Sequence, residues 1–185
     1  MALTKTPVCD FGKKAEDFKL KSIENKIISL NDVKGEKATL IMFICNHCPY
    51  VKAIIRDLAK DCNELKKDGI NSVAIMSNDT KNYPEDSFDN MIKFAKTNDF
   101  GEMNYLIDET QEIARKYGAV CTPDFFGYNK DLKLQYRGRY RELKDLKPTS
   151  GDDSDLKVAM KMISETQAGP KEQIPSMGCN IKWFK

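Results

Sequence analysis

The sequence predicts an α/β fold, a sheet with helices packed on it, and three observations carry that expectation. Strand-like and helix-like stretches alternate along the chain. Ala38 to Ile44, broken only by Thr39, is an apolar run of strand length, the pattern of a strand buried on both faces. Pro49 follows shortly, and Val51, Ile54, Ile55, Leu58, Cys62 and Leu65 then recur on one helical face.

The elements read in order. Phe18 to Ile23 and Lys26 to Leu30 are two short strands around the Glu24-Asn25 turn, and Asn31 to Gly35 is a connecting turn. The buried strand Ala38–Ile44 leads to the cysteines. Pro49 opens a helix, because its missing N–H would have no partner in a first turn, and Gly69 stops it. Ile70 to Ser77 is a β-branched, apolar strand. Asn78 to Tyr83 is a loop, and Pro84 opens a helix running to about Asn98. Tyr105 to Ile107 is a strand and Glu109 to Tyr117 a helix closed by Gly118. Asp124 to Tyr128 and Leu132 to Arg139 form a hairpin around Asn129-Lys130-Asp131. Asp155 to Thr166 is a helix. The tail, 169–185, reads as irregular but docked, since it carries Cys179, Ile181, Trp183 and Phe184.

A chain of 185 residues suits one domain spanning 1–185. Hydrophobic content of 41% and charged content of 31% are those of an ordinary globular protein. The net charge of +2 gives no reason to expect a nucleic-acid or membrane-surface partner. No 18-residue apolar run is present. Residues 1–14 lack the apolar core of a secretory signal, so a cytoplasmic location is expected. In a reducing compartment, six cysteines do not read as a disulfide framework, and a close pair there is catalytic or metal-binding.

Cys45 and Cys48 lie where the buried strand ends and the helix begins. A helix start offers unpaired N–H groups and partial positive charge, both of which favour a thiolate, the nucleophilic form of cysteine. Cys48, immediately before Pro49, is assigned as the attacking thiol and Cys45 as its resolving partner, with the reverse assignment open. His47, the single histidine, tunes the thiolate, relays a proton, or is a partly solvated spacer.

The segment Phe43-Ile44-Cys45-Asn46-His47-Cys48-Pro49-Tyr50-Val51 resembles the active-site segment of a thioredoxin-like group within the alkyl hydroperoxide reductase/thiol-specific antioxidant (peroxiredoxin-like) family. Asn82 to Ser87, Thr122 to Phe126, Tyr136 to Arg139 and Gly178 to Trp183 extend the match over nearly the whole chain. The resemblance implies a thioredoxin fold, with a central mixed sheet flanked by helices and an N-terminal β extension. It implies a cis peptide at Thr122-Pro123 beside the redox cysteines, where thioredoxins offer backbone groups to an extended substrate chain. Aligned without a gap, Cys48 falls on the attacking cysteine, Cys45 is an extra thiol upstream, and Val51 replaces the usual second cysteine. The implied activity is thiol–disulfide exchange on a protein or small-molecule disulfide, reset by an external thiol reductant, with no cofactor.

The runner-up is a thiol peroxidase with Cys48 peroxidatic and Cys45 or Cys179 resolving. The hydroxyl and the arginine that peroxiredoxins place at the thiolate are replaced here by Cys45 and by Thr122 or Pro123, which removes donors to the departing oxygen. A third reading is zinc held by Cys45, His47, Cys48 and Cys179, or a non-enzymatic interaction domain. Cys179 is a candidate third redox thiol or a packed tail residue. Cys121 lies near the site or is a strand-end cysteine, Cys62 is core, and Cys9 is incidental on a loose N-terminus. Asn78, Asp79 and Tyr83 to Ser87 either line a groove at the strand ends or form a helix start with acids in its first turn. Arg137 and Arg139 read as surface or ion-pair residues.

Overall fold

The alternation of apolar runs and amphipathic stretches resolves into twelve strands and five helices in a computed structural model that describes residues 2–185. The strands are β1 Leu3–Lys5, β2 Lys19–Ser22, β3 Ile27–Ser29, β4 Ala38–Phe43, β5 Ile70–Met76, β6 Asn104–Ile107, β7 Cys121–Thr122, β8 Asp124–Asn129, β9 Leu134–Tyr136, β10 Leu143–Lys144, β11 Lys147–Pro148 and β12 Met177–Asn180. The helices are α1 Leu30–Val33, α2 Pro49–Lys66, α3 Phe88–Thr97, α4 Glu112–Tyr117 and α5 Asp155–Thr166.

Seven strands form the central sheet in the order β3-β2-β6-β5-β4-β8-β9. β4–β5 and β5–β6 are parallel, while β4–β8, β8–β9, β2–β6 and β2–β3 are antiparallel. This is the mixed sheet of a thioredoxin fold. β4 is buried on both faces, as its composition demands. Ala38, Leu40 and Met42 face one core with α2, α3 and α5, whereas Ile41 and Phe43 face the other with α1 and α4.

Three local expectations give way to side-chain capping. Asn31–Gly35 begins within a short helix, because Ser29 and Asp32 form a reciprocal capping box. The helix expected from Pro84 splits into a 3₁₀ turn, Pro84–Asp86, and α3, because Ser87 leaves helical geometry to cap the Asn90 N–H. α4 starts at Glu112, since Gln111 adopts a left-handed φ of 62° and buried Asp108 accepts the N–H groups of Ile113 and Ala114. Similarly, β9 starts at Leu134, beyond Leu132 with its φ of 57°.

The tail is not irregular. β12 is the middle strand of a second sheet, β1-β12-β7, with Cys179 opposite Thr122 and Leu3 opposite Cys179. Thr6 and Ser176 add a reciprocal pair of bonds, and the Ser176 hydroxyl donates to Pro123 O at 2.8 Å. Further on, Ile181 enters the core and Arg115 covers the Trp183 ring at 4.3 Å. The N-terminus is equally tied down. Gly12 and Ala15 donate to Leu134 O and Leu132 O, and half-buried Cys9 packs on the second core, so the expectation of a loose segment is corrected. Arg137 is buried and grips Asp124 through Nη2–Oδ2 at 3.0 Å, while Arg139 pairs with Asp155 nearer the surface. Cys62 is a core residue, as its place on the helical stripe indicated.

The β12–β7 approach leaves no room for a side chain at Gly178, where a Cβ would lie 2.0 Å from Thr122 O. Gly178→Ala is therefore expected to lower stability by about 1–3 kcal/mol through forced strand separation, measured by urea unfolding.

Candidate active site: three converging thiols

The end of β4 and the start of α2 enclose a short bend in which Asn46 and His47 are the polar members of an otherwise apolar junction. Cys48 is the N-cap of α2, in extended geometry with no side-chain cap of its own, and Pro49 occupies the first turn. Its sulfur thus lies at the N-terminal end of a long helix, where the partial positive charge favours a thiolate. Opposite, the cis Thr122-Pro123 bond joins β7 to β8, and β12 supplies Cys179.

These pieces bring three sulfurs together. Cys48 Sγ lies 2.9 Å from Cys179 Sγ and 3.1 Å from Thr122 O. Cys45 Sγ lies 3.3 Å from Thr122 Oγ1. Cys45 and Cys48 are fully buried and Cys179 is 4% exposed, so bulk water does not reach the Cys48 sulfur. All six cysteines are free thiols.

The three sulfurs divide the protons unequally. A hydrogen bond from the Cys45 thiol is the main influence lowering the Cys48 pKa, to about 5. Burial opposes it, and bonds from the Cys179 thiol and the Val51 N–H reinforce it. Cys45 is raised well above the ordinary range, first by that same bond to Cys48 and then by burial. Burial, followed by the bond to Cys48, pushes Cys179 up to about 12. One sulfur carries the charge and its neighbours keep the protons that stabilise it. The Thr122 O contact is one that only the protonated Cys48 can donate to, so ionisation exchanges that bond for the two thiol donors.

Cys121 is fully buried but directed elsewhere, its sulfur 3.5 Å from Pro123 O, and burial raises its pKa. Its alternation with Thr122 along β7 separates it from the Cys48 contacts.

Asp86 was not singled out from the sequence, where Glu85-Asp86 read as first-turn acids. It is fully buried and gathers three donors: His47 Nδ1 at 2.6 Å, Asn46 N–H at 2.8 Å and Asn78 Nδ2 at 2.9 Å. Asn46 also donates to Glu85 O and accepts from Tyr105 OH at 2.9 Å. The bend is thereby clamped to the 3₁₀ turn. The signal available in the sequence was Asn46-His47 itself, since a polar pair at a buried junction requires polar partners. The hydrogen bond to Asp86 raises the His47 pKa. Asn78 and Asp79 are buried and bond to Lys182 of the tail instead of lining a groove.

Of the four residues read as zinc ligands, Cys48 meets Cys179, while His47 Nδ1 bonds to Asp86, and Cys45 lies with that pair. A shallow cleft of about 350 Å³ opens beside the bend, lined by Asn46, His47, Lys52, Glu85 and Lys93.

Because alkylation requires the thiolate, the rate of Cys48 modification by iodoacetamide should rise with pH through a midpoint near 5. Cys45→Ala removes the principal donor and should move that midpoint upward by about 1 pH unit, read by peptide mass spectrometry across a pH series.

The sequence profile of the AhpC/TSA family matches residues 11–137. The fold is similar to that of an uncharacterized conserved protein from Geobacillus kaustophilus, at 39% identity over 100% of this chain and 97% of that one, with a TM-score of 0.93. A hypothetical protein from Sinorhizobium meliloti is 35% identical over 98% of both chains, with a TM-score of 0.89. The thioredoxin domain of a thiol-disulfide oxidoreductase from Bacteroides vulgatus shares the fold at 18% identity, over 69% of this chain and 86% of that one, with a TM-score of 0.58. Comparison with curated proteins yields no match. Among the described residues no helix is long and apolar enough to cross a membrane.

Proposed function

The chain belongs to the AhpC/TSA family, and from that premise we propose that it is a thiol–disulfide oxidoreductase with Cys48 as its attacking thiolate. The observation that carries this reading is the Cys48 sulfur, held at a helix start with a pKa near 5 by two neighbouring thiols. A thiolate so stabilised is ionised at neutral pH and close to thiols that can complete an exchange.

The reaction runs in two steps. Cys48 S⁻ attacks one sulfur of a substrate disulfide; the substrate S–S bond breaks, a Cys48–substrate disulfide forms, and one substrate thiolate leaves. A neighbouring thiol then loses its proton and attacks Cys48 Sγ, releasing the second substrate thiolate and leaving an intramolecular disulfide. Cys45, the thiol with the largest influence on the Cys48 pKa, is the resolving thiol of this scheme. Cys179, 2.9 Å away, is the alternative resolver. An external thiol reductant resets the pair. Since Cys179 covers Cys48 from the β12 side, its side chain must turn aside to admit a substrate sulfur.

Two observations favour exchange over peroxide reduction. The Thr122 hydroxyl contacts Cys45, not Cys48. Arg137 is committed to Asp124 and Gly118 O. The donors at Cys48 are thus thiols and the backbone N–H groups of Val51 and Cys179, and among the described residues Arg137 is turned away from any departing hydroxide.

Equilibration with glutathione buffers, thiol trapping and peptide mapping test the scheme. The expected product is a disulfide joining Cys48 to Cys45 or Cys179, and a stable adduct at Cys48 when both of those are serine. Cys48→Ser should abolish disulfide turnover, and hydrogen peroxide consumption by the intact protein should be slow. A Cys48 that stays reduced while other thiols oxidise rules the scheme out.

A further inference from the structure

His47 Nε2 is the one buried side-chain nitrogen without a hydrogen-bond partner among the described residues. An imidazole whose Nδ1 is fixed at 2.6 Å on a fully buried carboxylate, and whose other nitrogen is buried unpaired, is an expensive arrangement that calls for a role. The Cys45 sulfur, a His47 ring nitrogen and an Asp86 oxygen lie within 4.8 Å of one another. The ring stacks on Tyr83 at 5.7 Å and 9°, which together with Asp86 fixes its plane. One edge of the side chain, 12% exposed, reaches the cleft that opens to solvent.

We propose that His47 carries the proton of the exchange reaction through Nε2, with Asp86 as the positioning residue that holds the ring in the required tautomer. This inference rests on the exchange reading above. In the first step, as the substrate S–S bond breaks, imidazolium Nε2–H gives its proton to the leaving thiolate, which departs as a thiol. In the second step, neutral His47 takes the proton of the Cys45 thiol as that sulfur attacks Cys48, and the second substrate thiolate departs to be protonated by water. The histidine ends the cycle as it began, one proton having passed from Cys45 to the first leaving group.

The charges around the ring suit this order. Asp86 on the 3₁₀ turn faces Nδ1 and raises the His47 pKa, which favours the imidazolium. Lys182 of the tail lies over the Tyr83 ring at 5.7 Å and opposes that charge, while Cys48 on the same bend favours it. Across the cleft stand Lys52, Glu85 and Lys93.

The discriminating measurement compares two disulfides at pH 7. Glutathione disulfide expels a basic thiolate that benefits from protonation, whereas dithiobis(nitrobenzoate) expels an acidic thiolate that does not. His47→Gln should slow Cys48 adduct formation with glutathione disulfide by about 100-fold, and that with dithiobis(nitrobenzoate) or iodoacetamide by no more than about 3-fold. In Asp86→Asn the histidine loses the carboxylate that raises its pKa. The fall of the glutathione disulfide rate with rising pH should therefore begin at lower pH than in the parent protein. Equal slowing with all three reagents, or none with any, overturns the proton role and leaves the exchange reading intact. Absence of a Cys48 adduct with both disulfides in the parent protein overturns the exchange reading itself.

Discussion

The Cys48 sulfur, buried at a junction from which water is excluded and with its pKa lowered to about 5, is the group around which the molecule is arranged. A buried charge is costly unless hydrogen-bonded or paired. Here the compensation comes from a helix start, the Val51 N–H and two protonated sulfurs. Each donor belongs to a different stretch of chain: the end of β4, the first turn of α2, and β12. The groups that lower the Cys48 pKa are therefore brought together only when the helix, the central sheet and the tail are assembled.

That dependence accounts for the attention the fold gives to its tail. β12 is gripped between β1 and β7, Gly178 permits contact with Thr122, and Lys182 is bonded to Asn78 and Asp79 at the end of β5. Asn78 in turn holds Asp86, which holds His47 and Asn46. A continuous set of hydrogen bonds thus runs from the C-terminal strand to the cysteine bend, and both sides of the Cys48 sulfur are positioned by one connected structure. β12 also covers the edge of β7 that would otherwise be open to an added strand.

Much of the fold was legible from local pattern. The apolar run of β4, the Pro49-led stripe of α2, the β-branched β5 and the amphipathic α5 were placed within a few residues, because each expresses a single strong periodicity. Apart from the tail strand β12, several misplaced features turned on one side chain choosing a backbone partner. Ser87 interrupted a helix, Ser29 and Asp32 built one where a turn was expected, and Gln111 entered the left-handed region. Such choices are decided by competition between capping and continuation, to which apolar periodicity is blind.

What the sequence by itself determined is the chemistry available: a cysteine at a helix start before proline, a second one three residues upstream, one histidine, and a mixed α/β framework to carry them. These follow from neighbouring residues, whose geometry is set by the backbone. What only the tertiary structure decided is which groups meet. Cys179, 131 residues from Cys48, reaches its sulfur, and Asp86, 39 residues from His47, becomes its partner. Contacts at such separation depend on strand order and on the pairing of β12 with β7, and these are properties of the packed whole, not of any local stretch of chain.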